Sequence, residues 1–232
     1  MKEGLLRLKS SLQSLLYPQP CFLCLQEQGF SICVACIQKR LDEVQCLRCD
    51  SKLDEHKSCP TCASEFQTAR FRCLFTYEDI QRLMIKVKRN GFLASLPREL
   101  FVLPSNWLCG VRVQPRLIAV PARSSSHWLS RWLRQSDSPF LRNHLKMSQK
   151  LKTKQARIRN SLDLFLPNDD FRSEEDKFIL VDDVLSTGQS VRACLSVLRQ
   201  LGYTPFGVFL LSWRKKKRPG LEDFDHEPEK IR

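Results

Sequence analysis

The run Phe178-Ile179-Leu180-Val181-Asp182-Asp183-Val184-Leu185-Ser186-Thr187-Gly188-Gln189-Ser190-Val191 restricts the fold more than any other part of the chain. Phe178 to Val181 is short, apolar and β-branched, the pattern of a strand buried on both faces. Asp182 and Asp183 come where that strand is expected to end, and Ser186 to Ser190 reads as a small polar loop. Beyond it Val191, Cys194, Leu195, Leu198 and Leu201 recur on one helical face, and Gly202 stands where a helix-terminating glycine belongs. A doubly buried strand that passes through a tight loop into a helix is the unit of an α/β protein with a mostly parallel, Rossmann-like sheet.

The same order has chemical meaning. A helix N-terminus carries unpaired N–H groups and a partial positive charge, and a loop of small residues lets those groups close on a phosphate. Two carboxylates beside it are poor phosphate ligands but good acceptors for sugar hydroxyls. The stretch therefore predicts a ribose 5-phosphate, with its phosphate on Leu185, Ser186, Thr187, Gly188, Gln189 and Ser190 and its hydroxyls on Asp182 and Asp183. The bland alternative is a buried strand followed by an acidic helix cap. A Walker loop is excluded, because no Gly-Lys-Ser/Thr occurs.

Eight of the 11 cysteines form four Cys-x-x-Cys pairs: Cys21/Cys24, Cys33/Cys36, Cys46/Cys49 and Cys59/Cys62. One such turn presents two thiolates to a tetrahedral metal, and two turns complete its coordination. Four pairs predict two structural Zn²⁺ sites with no open position for catalysis. Consecutive pairing is the expectation, and interleaved pairing satisfies the same spacing. The stretch has few large apolar residues, so its folding should depend on metal. His56 lies between the last two pairs and is expected at the surface rather than on a metal. Cys109 and Cys194 are expected to be small core residues.

The remainder divides in chain order. Residues 1–20 form an amphipathic helix ended by Pro18 and Pro20, residues 21–66 the metal module, 67–213 the main domain and 214–232 a charged tail. In the main domain, Arg72 to Tyr77 alternates like a strand, with Asp79 as N-cap of a helix bearing Ile80, Leu83, Met84 and Val87. Asn90-Gly91 stops that helix, and a further helix is expected from about 94 to 101. Leu117 to Val120 is a strand ending at Pro121, followed by Arg123, three serines and a helix around His127 to Leu133. Residues 168–177 are a connecting loop, and Pro205 to Leu211 is another buried strand.

The net charge of +13 favours phosphate-rich ligands or a polyanionic partner. Between Arg112 and Arg159 the only acid is Asp137. This stretch mixes cations with aromatic rings, a combination suited to single-stranded nucleic acid: charge for phosphates, rings for bases. The candidates are Trp128, Arg131, Trp132, Arg134, Lys150, Lys152, Lys154, Arg157 and Arg159. The alternative places the two tryptophans in the core. Arg123 and Lys88 are candidate contacts to a pyrophosphate, against the default of exposed cations. No apolar run approaches the ~20 residues of a membrane span, and no signal peptide is evident, which points to a cytoplasmic protein.

The run from Phe178 resembles the phosphoribosyl-pyrophosphate (PRPP) motif of type I phosphoribosyltransferases: apolar strand, Asp182-Asp183, Thr187-Gly188 loop. Four Cys-x-x-Cys pairs, a Tyr-bearing strand with a Lys-rich helix, Val120-Pro121, a basic segment and this motif, in that order, resemble the ComF family across about residues 15–213. The resemblance implies a type I phosphoribosyltransferase fold carrying an N-terminal double zinc ribbon. It implies a PRPP site at Asp182, Asp183, Val184 and Leu185 to Ser190, with Mg²⁺ on the pyrophosphate. It further implies a role in natural transformation or DNA use, with single-stranded DNA and a DNA-translocating helicase as partners. The family's Arg-Gly-Phe-Asn-Gln run is replaced here by His127 to Asp137, which lacks the glycine and asparagine, and Leu151 to Asn160 matches a later family run only loosely. Three functions stay open: accessory DNA uptake with a PRPP-type ligand, an active phosphoribosyltransferase, and a catalytically silent PRPP or nucleotide sensor.

Overall fold

Four segments of this chain are apolar on both faces or nearly so, and they pair into one parallel sheet. The computed structural model describes residues 20–26, 32–90, 103, 105–109, 111–121, 128–143 and 164–214. The central strands are β5 (Lys177–Leu185) and β6 (Thr204–Trp213), flanked by β1 (Arg70–Thr76) and β2 (Arg116–Ala119) in the order β1-β6-β5-β2, all parallel. Phe178, Ile179, Leu180 and Val181 are each fully buried, as their uninterrupted apolar run requires.

Two cores lie on the two faces. On one face, α5 (Gln189–Gln200) packs Val191, Cys194 and Leu198 against Phe178 and Leu180. The same core takes in Phe66 of α2 (Pro60–Phe66) and the ring pair Phe140/Phe165. On the other face, α3 (Tyr77–Asn90) and the short α4 (Trp128–Trp132) cover Ile179 and Val181, together with Ile37 of α1 (Val34–Asp42).

Several boundaries differ from the sequence expectation for identifiable reasons. Helix α3 begins at Tyr77, so Asp79 is not its N-cap. Thr76 Oγ1 accepts the Asp79 N–H at 3.3 Å, while Asp79 Oδ2 accepts the Thr76 N–H at 3.2 Å, a reciprocal capping box. Strand β5 runs four residues past Val181, because ladder pairing continues through Asp182↔Leu210, Val184↔Ser212 and Leu185↔Trp213. Residues Phe140–Arg142 (β3) and Phe165–Pro167 (β4) form an antiparallel ribbon where no strand was expected. Each strand is three residues long, too short to show an alternation. Gly202 ends α5 as expected: with φ +82° it places its N–H on Arg199 O and the Tyr203 N–H on Leu198 O, a Schellman closure. Cys194 is buried, but Cys109 is exposed at the end of a 3₁₀ turn (Ser105–Leu108) rather than in the core. The position in that turn that fills the core is Trp107, fully buried edge-on to Phe209. The expected helices at 1–20 and 94–101 lie outside the described residues, apart from Pro20. Among the described residues no helix is long and apolar enough to cross a membrane.

Candidate metal centres and anion site

The thiols of Cys21, Cys24, Cys33 and Cys36 lie within 4.8 Å of one another, as do those of Cys46, Cys49, Cys59 and Cys62. Pairing is therefore consecutive. Each group can hold one metal ion. Contacts of 3.9 Å for Cys21–Cys36, 3.8 Å for Cys24–Cys33 and 3.9 Å for Cys46–Cys62 are far too long for disulfides. They match the roughly 3.8 Å edge of a tetrahedron with metal–sulfur bonds of ~2.3 Å. His56 belongs to neither group, and its Nδ1 meets Asn106 O at 3.0 Å.

Local backbone geometry builds both sites. Leu25 and Asp50 adopt positive φ (62° and 59°), and their N–H groups return to the carbonyls of Cys21 and Cys46 at 2.8 Å. Each turn thus folds back on its first ligand. The N–H groups of Leu23 and Cys33 point at Cys21 Sγ (3.4 and 3.3 Å), and that of Cys62 at Cys59 Sγ (3.4 Å). Such donors favour thiolates. Burial pushes Cys21 up, but the N–H groups of Cys24, Cys33 and Leu23 outweigh it and bring Cys21 down to about 7. Hydrogen bonding from Cys62 brings Cys46 down to about 5. Cys62 is driven up in turn by the same bond and by burial, and burial raises Cys59 to about 12. Four thiols this close cannot ionise together unless a cation offsets their charge, which is the chemistry of a metal-ligand set.

The second feature sits at the carboxyl end of β5. The connection from β2 leads to α4 on one face of the sheet and that from β5 to α5 on the other, because Trp128 and Val191 fill opposite cores. Diverging connections between neighbouring parallel strands open a crevice at their carboxyl ends, where α/β sheets bind ligands. The loop at this place is Ser186 to Gly188, with Ser186 and Thr187 exposed. Gly188 is the N-cap of α5 with φ +76°, and Gln189 and Ser190 are already the first helical residues. The first backbone N–H groups of α5 have no intrahelical acceptor. Leu185 belongs to the strand and core (2% exposed), and Val184 is half-buried.

Asp182 and Asp183 project to opposite faces of the sheet, as neighbouring strand residues must. Asp183 is buried at 6% exposure on the α3/α4 face, where Lys88 Nζ reaches its Oδ2 at 2.8 Å and Trp128 Nε1 donates to the same oxygen at 3.1 Å. Asp182 keeps some exposure as a residue, yet its carboxyl is crowded on the α5 side. Burial, then the charge of Asp183, raises it well above the ordinary carboxylate range, against the pull of the Asp183 N–H at 2.9 Å and of Lys88. Its charge in turn adds to the burial that raises the Cys194 thiol.

Of the expected nucleic-acid residues, Trp128 is core: it is 3% exposed with its N–H bonded to Asp183, so its ring offers no open face to a base. Trp132 is half-buried against the same cluster, and Arg131 and Arg134 are exposed. Arg123, Lys150, Lys152, Lys154, Arg157 and Arg159 lie outside the described residues.

Residues not singled out in the sequence join the two features. Phe66, at the end of α2, lies against Gly188: a Cβ on that glycine would come within 3.1 Å of the Phe66 ring. Glu65 pairs with both Arg48 and Arg192. The only sequence signal for them was the Cys59-Pro60 helix start, with proline at N1 and the helix running on past Cys62. No known family model matches the chain, and no curated protein shows significant similarity to it.

Proposed function

We propose that the chain is a ComF-like, cytoplasmic accessory protein that binds a 5-phosphorylated ribose, PRPP with Mg²⁺, on a type I phosphoribosyltransferase fold stapled by two Zn²⁺ ions. The observation that carries the ligand reading is the N-terminus of α5. It opens through Gly188 and the exposed Ser186 and Thr187 at the carboxyl end of a central parallel strand, directly after two carboxylates.

In this reading the backbone N–H groups from Ser186 to Val191 receive the 5-phosphate. Asp182 and Asp183, which precede the loop, meet the ribose hydroxyls. Asp183 already has two donors, so ligand binding exchanges Lys88 for a hydroxyl and frees Lys88 for the anion. Mg²⁺ arriving with PRPP would offset the charge of the pyrophosphate. The thiolate sets favour Zn²⁺ through their all-sulfur donors and tetrahedral spacing. Transfer chemistry would need a base for an acceptor, and among the described residues none stands out beside the loop. Ligand binding therefore comes before turnover in this assignment. The burial of Trp128 weakens the single-strand reading, which then rests on the cations and the half-buried Trp132.

Calorimetric titration of the full, two-metal protein with Mg-PRPP and with ribose 5-phosphate tests the assignment. Saturable binding of both, lost in Asp182→Asn/Asp183→Asn, is the expected result. Absence of binding at millimolar ligand overturns it. Release of pyrophosphate with any nucleobase would promote the transferase alternative.

A further inference from the structure

The second thiol group and the Ser186 to Gly188 loop are joined by a continuous chain of contacts. Helix α2 starts on Cys59, whose Sγ accepts the Cys62 N–H, and ends four residues past Cys62 at Phe66. The Phe66 ring stacks on Phe71 of β1 (5.5 Å, 3° between planes), and its Cζ and Cε1 edge is what Gly188 rests on. Arg192, in the first turn of α5, holds its guanidinium 4.7 Å above the same ring, donates to Glu65 O at 3.0 Å and pairs with the Glu65 carboxylate. Arg48 closes the circuit. It reaches Cys62 Sγ at 3.2 Å and the same Glu65 carboxylate, with its guanidinium 5.4 Å from the Phe66 ring.

A cation in the first turn of a helix opposes the helix dipole. Arg192 is held there by Glu65, and Glu65 is held by Arg48, which also contacts a thiol of the second group. A metal on Cys46, Cys49, Cys59 and Cys62 would hold the start of α2, whose end carries the Phe66 ring against Gly188 and Glu65 against Arg192. The first group has no such path among the described residues: Cys36 and Phe22 pack in the core on the opposite face of the sheet.

We propose that Glu65 and Phe66 are positioning residues through which metal in the second centre sets the conformation of the ligand loop, so that anion affinity at α5 depends on that metal and not on the first. This rests on the ligand reading above for its binding arm, but its structural arm does not. Hydrogen exchange of the full chain is followed for the amides of Arg192, Ala193 and Cys194 in wild type, Glu65→Gln, Phe66→Leu, Cys24→Ser and Cys49→Ser, with metal content measured for each. Glu65→Gln and Phe66→Leu should keep two metals and speed exchange at these amides about tenfold, leaving β5 and β6 protected. Cys49→Ser, one metal short, should do the same, and Cys24→Ser, also one short, should not. Ribose 5-phosphate affinity should fall about tenfold in the first three variants only. Unchanged exchange at α5 in Glu65→Gln and Phe66→Leu overturns the coupling, as does an equal effect of Cys24→Ser. If wild type binds no ribose 5-phosphate, the ligand reading fails, while the exchange pattern still decides the coupling.

Discussion

Replacing Gly188 with alanine tests the junction between metal module and loop in energetic terms, and Gly202 supplies the control. Both glycines have positive φ, +76° and +82°. An L-residue in that region costs about 1–2 kcal/mol, partly offset by the ~0.4–1 kcal/mol that alanine gains by restricting the unfolded chain. Gly202→Ala meets nothing within 4 Å and should show this backbone cost alone, about 1 kcal/mol. Gly188→Ala brings its Cβ to 3.1 and 3.2 Å from two Phe66 ring atoms, tighter than ordinary contact. The ring cannot swing freely, because Phe71 stacks on it and Arg192 lies across it. Overpacking of this kind costs about 1–3 kcal/mol, so Gly188→Ala should total roughly 2–4 kcal/mol. Urea unfolding at fixed free metal measures both, since metal bound only by the folded chain would otherwise shift the apparent stability. In a Phe66→Ala background the packing part disappears, and Gly188→Ala should cost no more than Gly202→Ala does. Equal costs for the two glycines in the wild-type background, or a Gly188→Ala cost that Phe66→Ala leaves untouched, would refute the packing argument.

Other variants probe separate links. Arg72 is buried in β1 and donates to the carbonyls of Arg40, Leu41, Glu43 and Lys57, clasping the end of α1 and the second metal turn to the sheet. Arg72→Met should destabilise by about 3 kcal/mol in chemical unfolding, because four part-buried carbonyls lose their donor. Arg72→Lys should rescue little, since one ammonium cannot span them. Lys88→Met leaves Asp183 with the Trp128 N–H; for a half-exposed lysine the loss should be about 1–2 kcal/mol, read by thermal melts at low and high salt. Asp182 binds its proton more tightly folded than unfolded, so it costs stability as pH rises above the ordinary carboxylate value of about 4. Asp182→Asn should therefore raise the melting temperature at neutral pH and lose that advantage below about pH 4, and a gain independent of pH would contradict the assignment. Chelation should unfold the metal module, with thiol titration rising by the eight cysteines of the two groups, while β5 and β6 stay protected from exchange.

What could be read from residues alone follows from how local each determinant is. The metal groups were legible because a Cys-x-x-Cys turn is complete within four residues, and only the choice of partner turns required the fold. The apolar run of β5 and the glycine stop of α5 were legible for the same reason. The extent of β5 was not. Two aspartates look like a strand end, whereas β6 offers partners as far as Trp213 and the ladder carries them on. Asp79 was misread as a cap because a capping box uses the residue three before it, and Thr76 closes an apolar strand. The tryptophans could not be resolved by spacing: four residues apart on a helix places them on one face, but burial of that face depends on Asp183, 55 residues away from Trp128.

The two carboxylates carry the argument furthest beyond sequence. As letters they are equivalent; in the sheet they face different cores and have different surroundings. Asp183 lies between an ammonium and an indole N–H, both on its Oδ2. Asp182 is held toward its neutral form by burial and by the charge of Asp183. In the proposed ribose site, acids in such different surroundings should take different roles at the sugar. A neutral carboxyl can donate to a hydroxyl oxygen, whereas an ionised one can only accept. Single substitutions should then separate: Asp182→Asn, which keeps a donor, should hold ribose 5-phosphate affinity within about threefold, and Asp183→Asn, which loses the charge facing Lys88, should weaken it by about tenfold or more. Equal losses from the two, measured by calorimetry at pH 7, would mean that the acids act as an undifferentiated pair and that the faces of the sheet do not distinguish them.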